Sequence, residues 1–309
     1  MKKLLTFFSV FIALGTILFQ SCKKEASDPP KVGIFYSIVN KQVAFTALTK
    51  QVVKWNWEFG DGQTSTEKDP VHIYDDGGYY IITLTGTDSD GRSETAGDTI
   101  AVAVTPYVLL TGGATNVDGK TWKLTSNHSS KDKLANADAD LTVADGAPPT
   151  LPTGVFGVIG MGEVYDDTYT FFYDGSYSHD TKADHAAFGG IVYEMLTTGG
   201  AGIVNQNGQD FGLCTGLYTP ETGATFTYTE MEDFAVPSVY GPEGVLTYND
   251  VSTLDFSGTE FVGFMDNQRK VIVQDITDNT MRLVMFMAAS PDYYPLNTHA
   301  LVLTFEVVN

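Results

Sequence analysis

Trp55-Asn56-Trp57-Glu58-Phe59-Gly60-Asp61-Gly62 is the stretch on which the fold turns. Trp55, Trp57 and Phe59 alternate with Asn56 and Glu58, which predicts a strand with its aromatic side inward. Gly60-Asp61-Gly62 then supplies a turn. The same period recurs on both sides. Upstream, Val43 to Leu48 alternates; downstream, Tyr80, Ile82 and Leu84 share one face of a strand that ends at Asp88-Ser89-Asp90-Gly91, with a further turn at Asp69-Pro70. Strands punctuated this regularly across residues 31–106 predict a small β-sandwich.

These residues also carry a resemblance. Trp57 to Gly62, Thr64-Ser65-Thr66, Asp69-Pro70, His72-Ile73-Tyr74, Gly78, Tyr80 and Asp88 to Gly91 look like a PKD domain, over nearly all of residues 31–106. The resemblance implies an immunoglobulin-like sandwich that acts as a spacer in a surface or secreted carbohydrate-active protein. Trp55 stands where such domains more often carry Tyr, a change a core tolerates. Trp55, Trp57 and Phe59 are therefore expected in the core, and His72 and Asp61 in structural roles, with Asp61 needed only for hydrogen bonds local to its turn.

Residues 107–309 read as a second, larger all-β domain. Lys120 to Thr125 alternates with Trp122 and Leu124 inward, and Asp174-Gly175 joins strands at Asp167–Tyr173 and Ser176–Asp180 in a hairpin. Further strands are expected at 224–229, 251–256, 270–276, 280–287 and 299–308, with Leu301, Leu303, Phe305 and Val307 on one face of the last. Lys131 to Gly154 has no period and is assigned to a loop, either functional or mobile. The number of strands implies a jelly-roll-like β-sandwich or a lipocalin-like barrel. Gly119 to Leu124, Tyr165 to Phe171, Asp174 to Asp180, Thr259 to Phe264 and Val271 to Leu283 are similar to domains that follow PKD modules in cell-surface lipoproteins of glycan-uptake systems. That similarity implies polysaccharide binding, with outer-membrane uptake machinery as partner.

The N-terminus reads as an address. Lys2 and Lys3 precede an apolar run from Leu4 to Phe19, too short to cross a bilayer as a helix, and Phe19-Gln20-Ser21-Cys22 resembles a bacterial lipobox. Residues 1–21 are expected to be a lipoprotein signal peptide, Cys22 the acylated residue and 22–30 a proline-bearing tether. The resemblance places the chain on the outer membrane by its lipid, facing outward. Cys214, the one other cysteine, then has no partner for a disulfide and is expected to be a small buried apolar residue.

The 309 residues contain 18 Lys+Arg against 38 Asp+Glu, a formal charge of −20. Such a surface repels a phosphate backbone and excludes nucleic acid as a partner. Aromatic faces with Asp, Asn and Gln suit a neutral polysaccharide. Phe234, Tyr240, Tyr293 and Tyr294, beside Pro or Gly in turn-like segments, are the candidate platforms. No catalytic residue is assigned. The chain lacks a Gly-x-Ser-x-Gly elbow, a His-Glu-x-x-His motif, a phosphate loop and a Cys-x-x-Cys pair, and the cluster Glu230, Glu232 and Asp233 is weak evidence for a glycoside hydrolase. No cofactor is expected beyond a structural Ca²⁺ on Asp166, Asp167, Asp180 and Asp184, which flank one hairpin. The alternative functions are an adhesin or structural surface protein, and a lipocalin-like carrier of a small apolar ligand.

Overall fold

The computed structural model describes residues 28–308. The expected signal peptide, Cys22 and residues 23–27 of the expected tether lie outside the described residues.

Seven strands form the first sandwich: β1 (Lys31–Val39), β2 (Gln42–Lys50), β3 (Lys54–Glu58), β4 (Thr64–Ser65), β5 (Val71–Ile73), β6 (Gly78–Thr87) and β7 (Ser93–Val102). One sheet has the order β1-β2-β5, the other β4-β3-β6-β7. The alternating residues of both face inward: Val43, Phe45, Ala47, Trp57, Phe59, Tyr74, Tyr80, Ile82, Leu84, Ile100 and Val102 make one core, with Trp55 half-buried against it. Asp61 does more than close its turn. Its Oδ1 accepts from Gln63 N–H at 2.9 Å, while Oδ2 pairs with His72 Nε2 at 2.6 Å. The His72 ring stacks on Phe59 at 4.2 Å, so one carboxylate ties the glycine turn to β5.

The second domain begins with helix α1 (Pro106–Thr111), capped by the Thr105 hydroxyl. Its strands are β8 (Lys120–Leu124), β9 (Lys133–Asn136), β10 (Thr168–Phe171), β11 (Tyr177–Asp180), β12 (Ala186–Gly190), β13 (Ile203–Asn205), β14 (Leu213–Leu217), β15 (Phe226–Pro237), β16 (Val245–Phe256), β17 (Val271–Ile276), β18 (Thr280–Met287) and β19 (His299–Val307), with short helices α2 (Val155–Val158) and α3 (Ile191–Thr198) between them. One antiparallel sheet runs β11-β10-β8-β19-β18-β17-β16-β15, and β9 pairs with β19 beyond the end of β8. Its two ends meet at a bridge between Ser176 and Thr225. The domain is thus a larger β-sandwich made by one sheet folding over its own core, and its strand order is that of an up-and-down barrel. From β15 to β19 each strand pairs with the next in the chain, as in a meander rather than a jelly roll, while β8 and β9 both pair with the last strand, β19.

Inside, Trp122, Tyr169, Phe171, Tyr177, Phe226, Leu254, Leu283, Met285, Leu301, Leu303 and Phe305 fill the core. The opposite face of β17, β18 and β19 is dry too, because the β15–β16 hairpin bends over it. The bend falls where the register shifts between Thr229 and Phe234 and where Met231 and Asp250 take positive φ, a bulge that turns the strands. Phe234, Val236 and Tyr248 from the bent half then cover Ile272, Val284, Phe286, Ala300 and Val302. The segment expected as a structureless loop contains β9, and Val143 bridges back to Ala135. Its root is held by Asp132, a buried carboxylate paired with His128 Nδ1 at 3.1 Å and accepting from Ser129 Oγ at 2.5 Å and Thr304 Oγ1 at 2.6 Å.

A small sheet, β12-β14-β13, is inserted between β11 and β15. Where the two domains join, Gly78 forms a β-bridge with Gly113, Thr115 Oγ1 donates to the Tyr79 carbonyl at 2.8 Å, and the Tyr79 hydroxyl bonds Asp278. Gly113 has φ +85°, and a Cβ there would lie 2.9 Å from the Gly78 Cα.

Candidate functional site

At one end of the barrel, segments far apart in the chain enclose a pocket of about 680 Å³. Leu134 and Leu301 contribute from β9 and β19; Ala144 to Leu151 and α2 form one wall; Ile191, Gln209 to Leu213 and Ala289 form the other. The walls are apolar. Asp145, Gln209, Asp210 and His299 are the polar side chains among them, and among the described residues no Lys or Arg lines the pocket. The volume falls within the roughly 300–1,000 Å³ that small-molecule sites occupy. Hydrogen bonds from Leu151 N–H to the Asp132 carbonyl (2.9 Å) and from Gly154 N–H to the Ser126 carbonyl (2.8 Å) fix the wall without a ligand.

His299 is held through its Nδ1 by the neighbouring threonine. Thr298 Oγ1 accepts from the Ala289 N–H at 3.1 Å and lies 2.9 Å from His299 Nδ1. The hydroxyl, which accepts from Ala289 N–H, has its own hydrogen to donate to Nδ1, and in that arrangement the ring proton sits on Nε2. Burial pulls the His299 pKa below its ordinary value, so the ring is neutral at pH 7.

Three of the four candidate platform residues come to this end of the barrel. The loop 238–244 and the turn Ser290–Leu296 meet through a bridge between Ser238 and Asn297. Tyr240, 48% exposed, donates to Asn136 Oδ1 at 3.1 Å, and Asn136 pairs across the ladder with pocket-lining His299. Tyr293, 57% exposed, and half-buried Tyr294 sit in the turn that separates Ala289 from His299. Burial, with Asp138 and Asp145 beside it, raises the Tyr240 pKa. The pocket adds one exposed aromatic that the sequence reading missed, Phe211, in a Gly/Gln/Asp-rich stretch where no strand period marks it.

Phe234 is a correction. It is 6% exposed within the outer core, and Lys270 Nζ covers its ring at 5.2 Å, so it has no face to offer a sugar. The four aspartates also fail to assemble. Asp180 bonds Lys182 Nζ at 2.6 Å, Asp184 accepts from Ala186 N–H, and among the described residues no three His, Cys, Asp or Glu side chains form a group that could hold a metal. Asp167 is buried; burial first, then the carboxylates of Asp184, Asp180 and Asp166, push its pKa up to about 8. Asp166 is among the charges that raise it. Glu232 is likewise engaged, by Lys270 Nζ at 2.6 Å and Thr253 Oγ1 at 2.6 Å. Cys214 is buried, and burial with Glu194 and Asp266 nearby pushes its thiol up to about 12, so it is protonated and inert at neutral pH.

A second, more open pocket of about 690 Å³ lies on the other side of the 131–149 segment, with Lys131, Lys133 and Arg282 among its walls. Arg282 is already matched by Asp275 at 3.7 Å and Asp132 at 3.8 Å.

Comparison with known proteins identifies the first domain. Residues 37–104 match the PKD domain family, and the chain contains a PKD domain. Collagenase ColA of Bacillus cereus is 38% identical over 65 residues, 19% of this chain and 7% of that protein. The chain thus spans under a tenth of that relative's length. The solved PKD1 domain of the Vibrio cholerae metalloprotease PrtV is 33% identical and wholly covered by 25% of this chain, with a TM-score of 0.24. A solved structure described as a carbohydrate-binding module of the β-sandwich superfamily aligns with 91% of this chain and 93% of its own at 15% identity. Its TM-score, 0.26, is too low to bear on activity.

Proposed function

We propose that this chain is a lipid-anchored protein of the outer membrane, exposed at the cell surface, whose 107–309 domain captures an extracellular polysaccharide for an uptake machine without cleaving it. The PKD domain is the stalk. The observation that supports this reading most is the placement of Tyr240, Tyr293 and Tyr294 from two separate loops at one end of the barrel, beside the pocket mouth. Aromatic faces with neighbouring amide and carboxylate groups bind the apolar faces and the hydroxyls of sugars. The formal charge of −20 favours a neutral polymer over an anionic one. Several lipid-held copies on one polymer gain avidity from high effective concentration, so a weak single site suffices.

Affinity electrophoresis against a panel of neutral polysaccharides, with analysis of products, tests the proposal. Retention without new reducing ends is expected, and the paired change Tyr240→Ala and Tyr293→Ala weakens it about tenfold or more, as loss of a binding hot spot does. Release of oligosaccharide, or equal migration with and without every glycan, refutes it.

A further inference from the structure

The pocket behind the tyrosine rim is suited to something other than a polymer. Its walls are Leu134, Leu151, Val155, Phe156, Leu213 and Leu301, all apolar, and a ligand that fills it must leave water. A hydroxyl-covered sugar would lose its hydrogen bonds there without replacement. Anions are disfavoured as well, since Asp145 and Asp210 stand in the lining and no Lys or Arg among the described residues joins them there. Two neutral polar side chains remain in the lining, Gln209 and His299. His299 has its Nδ1 engaged by the Thr298 hydroxyl, and when that hydroxyl is the donor the proton is on Nε2, which can donate to an oxygen.

We propose that this pocket binds an uncharged apolar molecule carrying an oxygen acceptor, with the His299 Nε2–H as the donor that orients it. The site does not depend on the polysaccharide reading: it uses the pocket walls, whereas that reading uses the rim. The walls are preformed, because the segment above the pocket is anchored at Asp132 and Ser126.

The test uses the polypeptide beginning at Asp28, which contains every residue of the cores described above, and neutral fluorescent dyes as probes. Prodan offers a ketone oxygen; N-phenyl-1-naphthylamine has the same apolar character without oxygen. Both are expected to bind saturably at one per chain, and the anionic dye 8-anilinonaphthalene-1-sulfonate at least about tenfold more weakly. Ala147→Trp fills the pocket and abolishes binding of both neutral dyes; Ala289→Leu, a smaller filler, reduces it in a chain whose melting is unchanged. His299→Phe weakens Prodan about fivefold to tenfold, as expected for one lost hydrogen bond in a site of low polarity, and leaves the second dye within about twofold. Glycan retention, measured on the same variants, stays as in the unaltered chain. No saturable binding of either neutral dye, undiminished binding after both fillings, tighter binding of the anion, or equal loss of both dyes in His299→Phe overturns the proposal.

Discussion

Replacing Asp167 by Asn should change how the stability of this protein depends on pH. Asp167 is buried just before β10, at the open end of the β10–β11 hairpin, and its pKa rises from the ordinary 3.8 to about 8 in the folded chain. Burial is the largest cause; Asp184, Asp180 and Asp166 add to it, and Lys182 opposes it. The folded chain therefore keeps a proton that the unfolded chain loses near pH 4. The resulting stability is complete below that pH and falls as pH rises towards 8. At about 1.36 kcal/mol per pH unit the ceiling of the effect is on the order of 6 kcal/mol, reduced by water access and by the shared titration of the neighbouring carboxyls. Asn cannot ionise and nearly matches the shape. In urea melts of the polypeptide from Asp28, the two proteins should be within about 1 kcal/mol of each other near pH 4, and the variant more stable by at least about 2 kcal/mol at pH 8.5. Asp266, raised to about 7 mainly by burial, leaves a shallower slope of the same sign in both. Parallel stability curves for the two proteins from pH 4 to pH 9 would refute the argument.

Other outcomes are specific enough to check. Cys22→Ala should move the protein from the membrane fraction to the soluble periplasmic fraction, read by detergent partitioning. Phe286→Ala removes a wholly buried ring from beneath the β15–β16 hairpin and should cost about 3–5 kcal/mol in urea melts, with the PKD core unaffected. Gly263→Ala should be destabilising by about 2 kcal/mol or more: φ is +73°, and a Cβ would lie 2.4 Å from the Phe305 ring. A thermal melt within a degree or so of the parent would contradict that packing.

The sandwich of the first domain was legible because its signal is local. Trp57, Phe59, Tyr80, Ile82 and Leu84 each sit on the face their spacing assigns, since one side of each strand meets the core. The second domain obeyed the rule less simply. Leu301, Leu303 and Phe305 face inward as their period demands, yet Ala300 and Val302 between them are buried as well, under a hairpin whose bend no period announces. Phe234 was misplaced for the same reason. Its neighbourhood in sequence is turn-like, while its neighbourhood in space is Phe286 and Tyr248. Strand β12, Ala186-Ala187-Phe188-Gly189-Gly190, escaped because alanine and glycine have little strand propensity. Close approach selects them: a Cβ on Gly189 would stand 2.9 Å from the Met265 carbonyl oxygen, and one on Gly190 2.3 Å from Asp266 Oδ2. The pocket was invisible for a different reason, because its walls are drawn from positions between Leu134 and Leu301 that only the closed sheet brings together.

The meeting of bare main chains at Gly78 and Gly113 reaches beyond the two residues involved. With no side chain between them and Thr115 and Asp278 fastening Tyr79 on either side, the PKD domain and the barrel are geared together as one lever. The distance from Lys31, where β1 begins, to the open mouth is then a built-in length, and a bulky residue at either glycine would swing the mouth to a new bearing while leaving both halves folded.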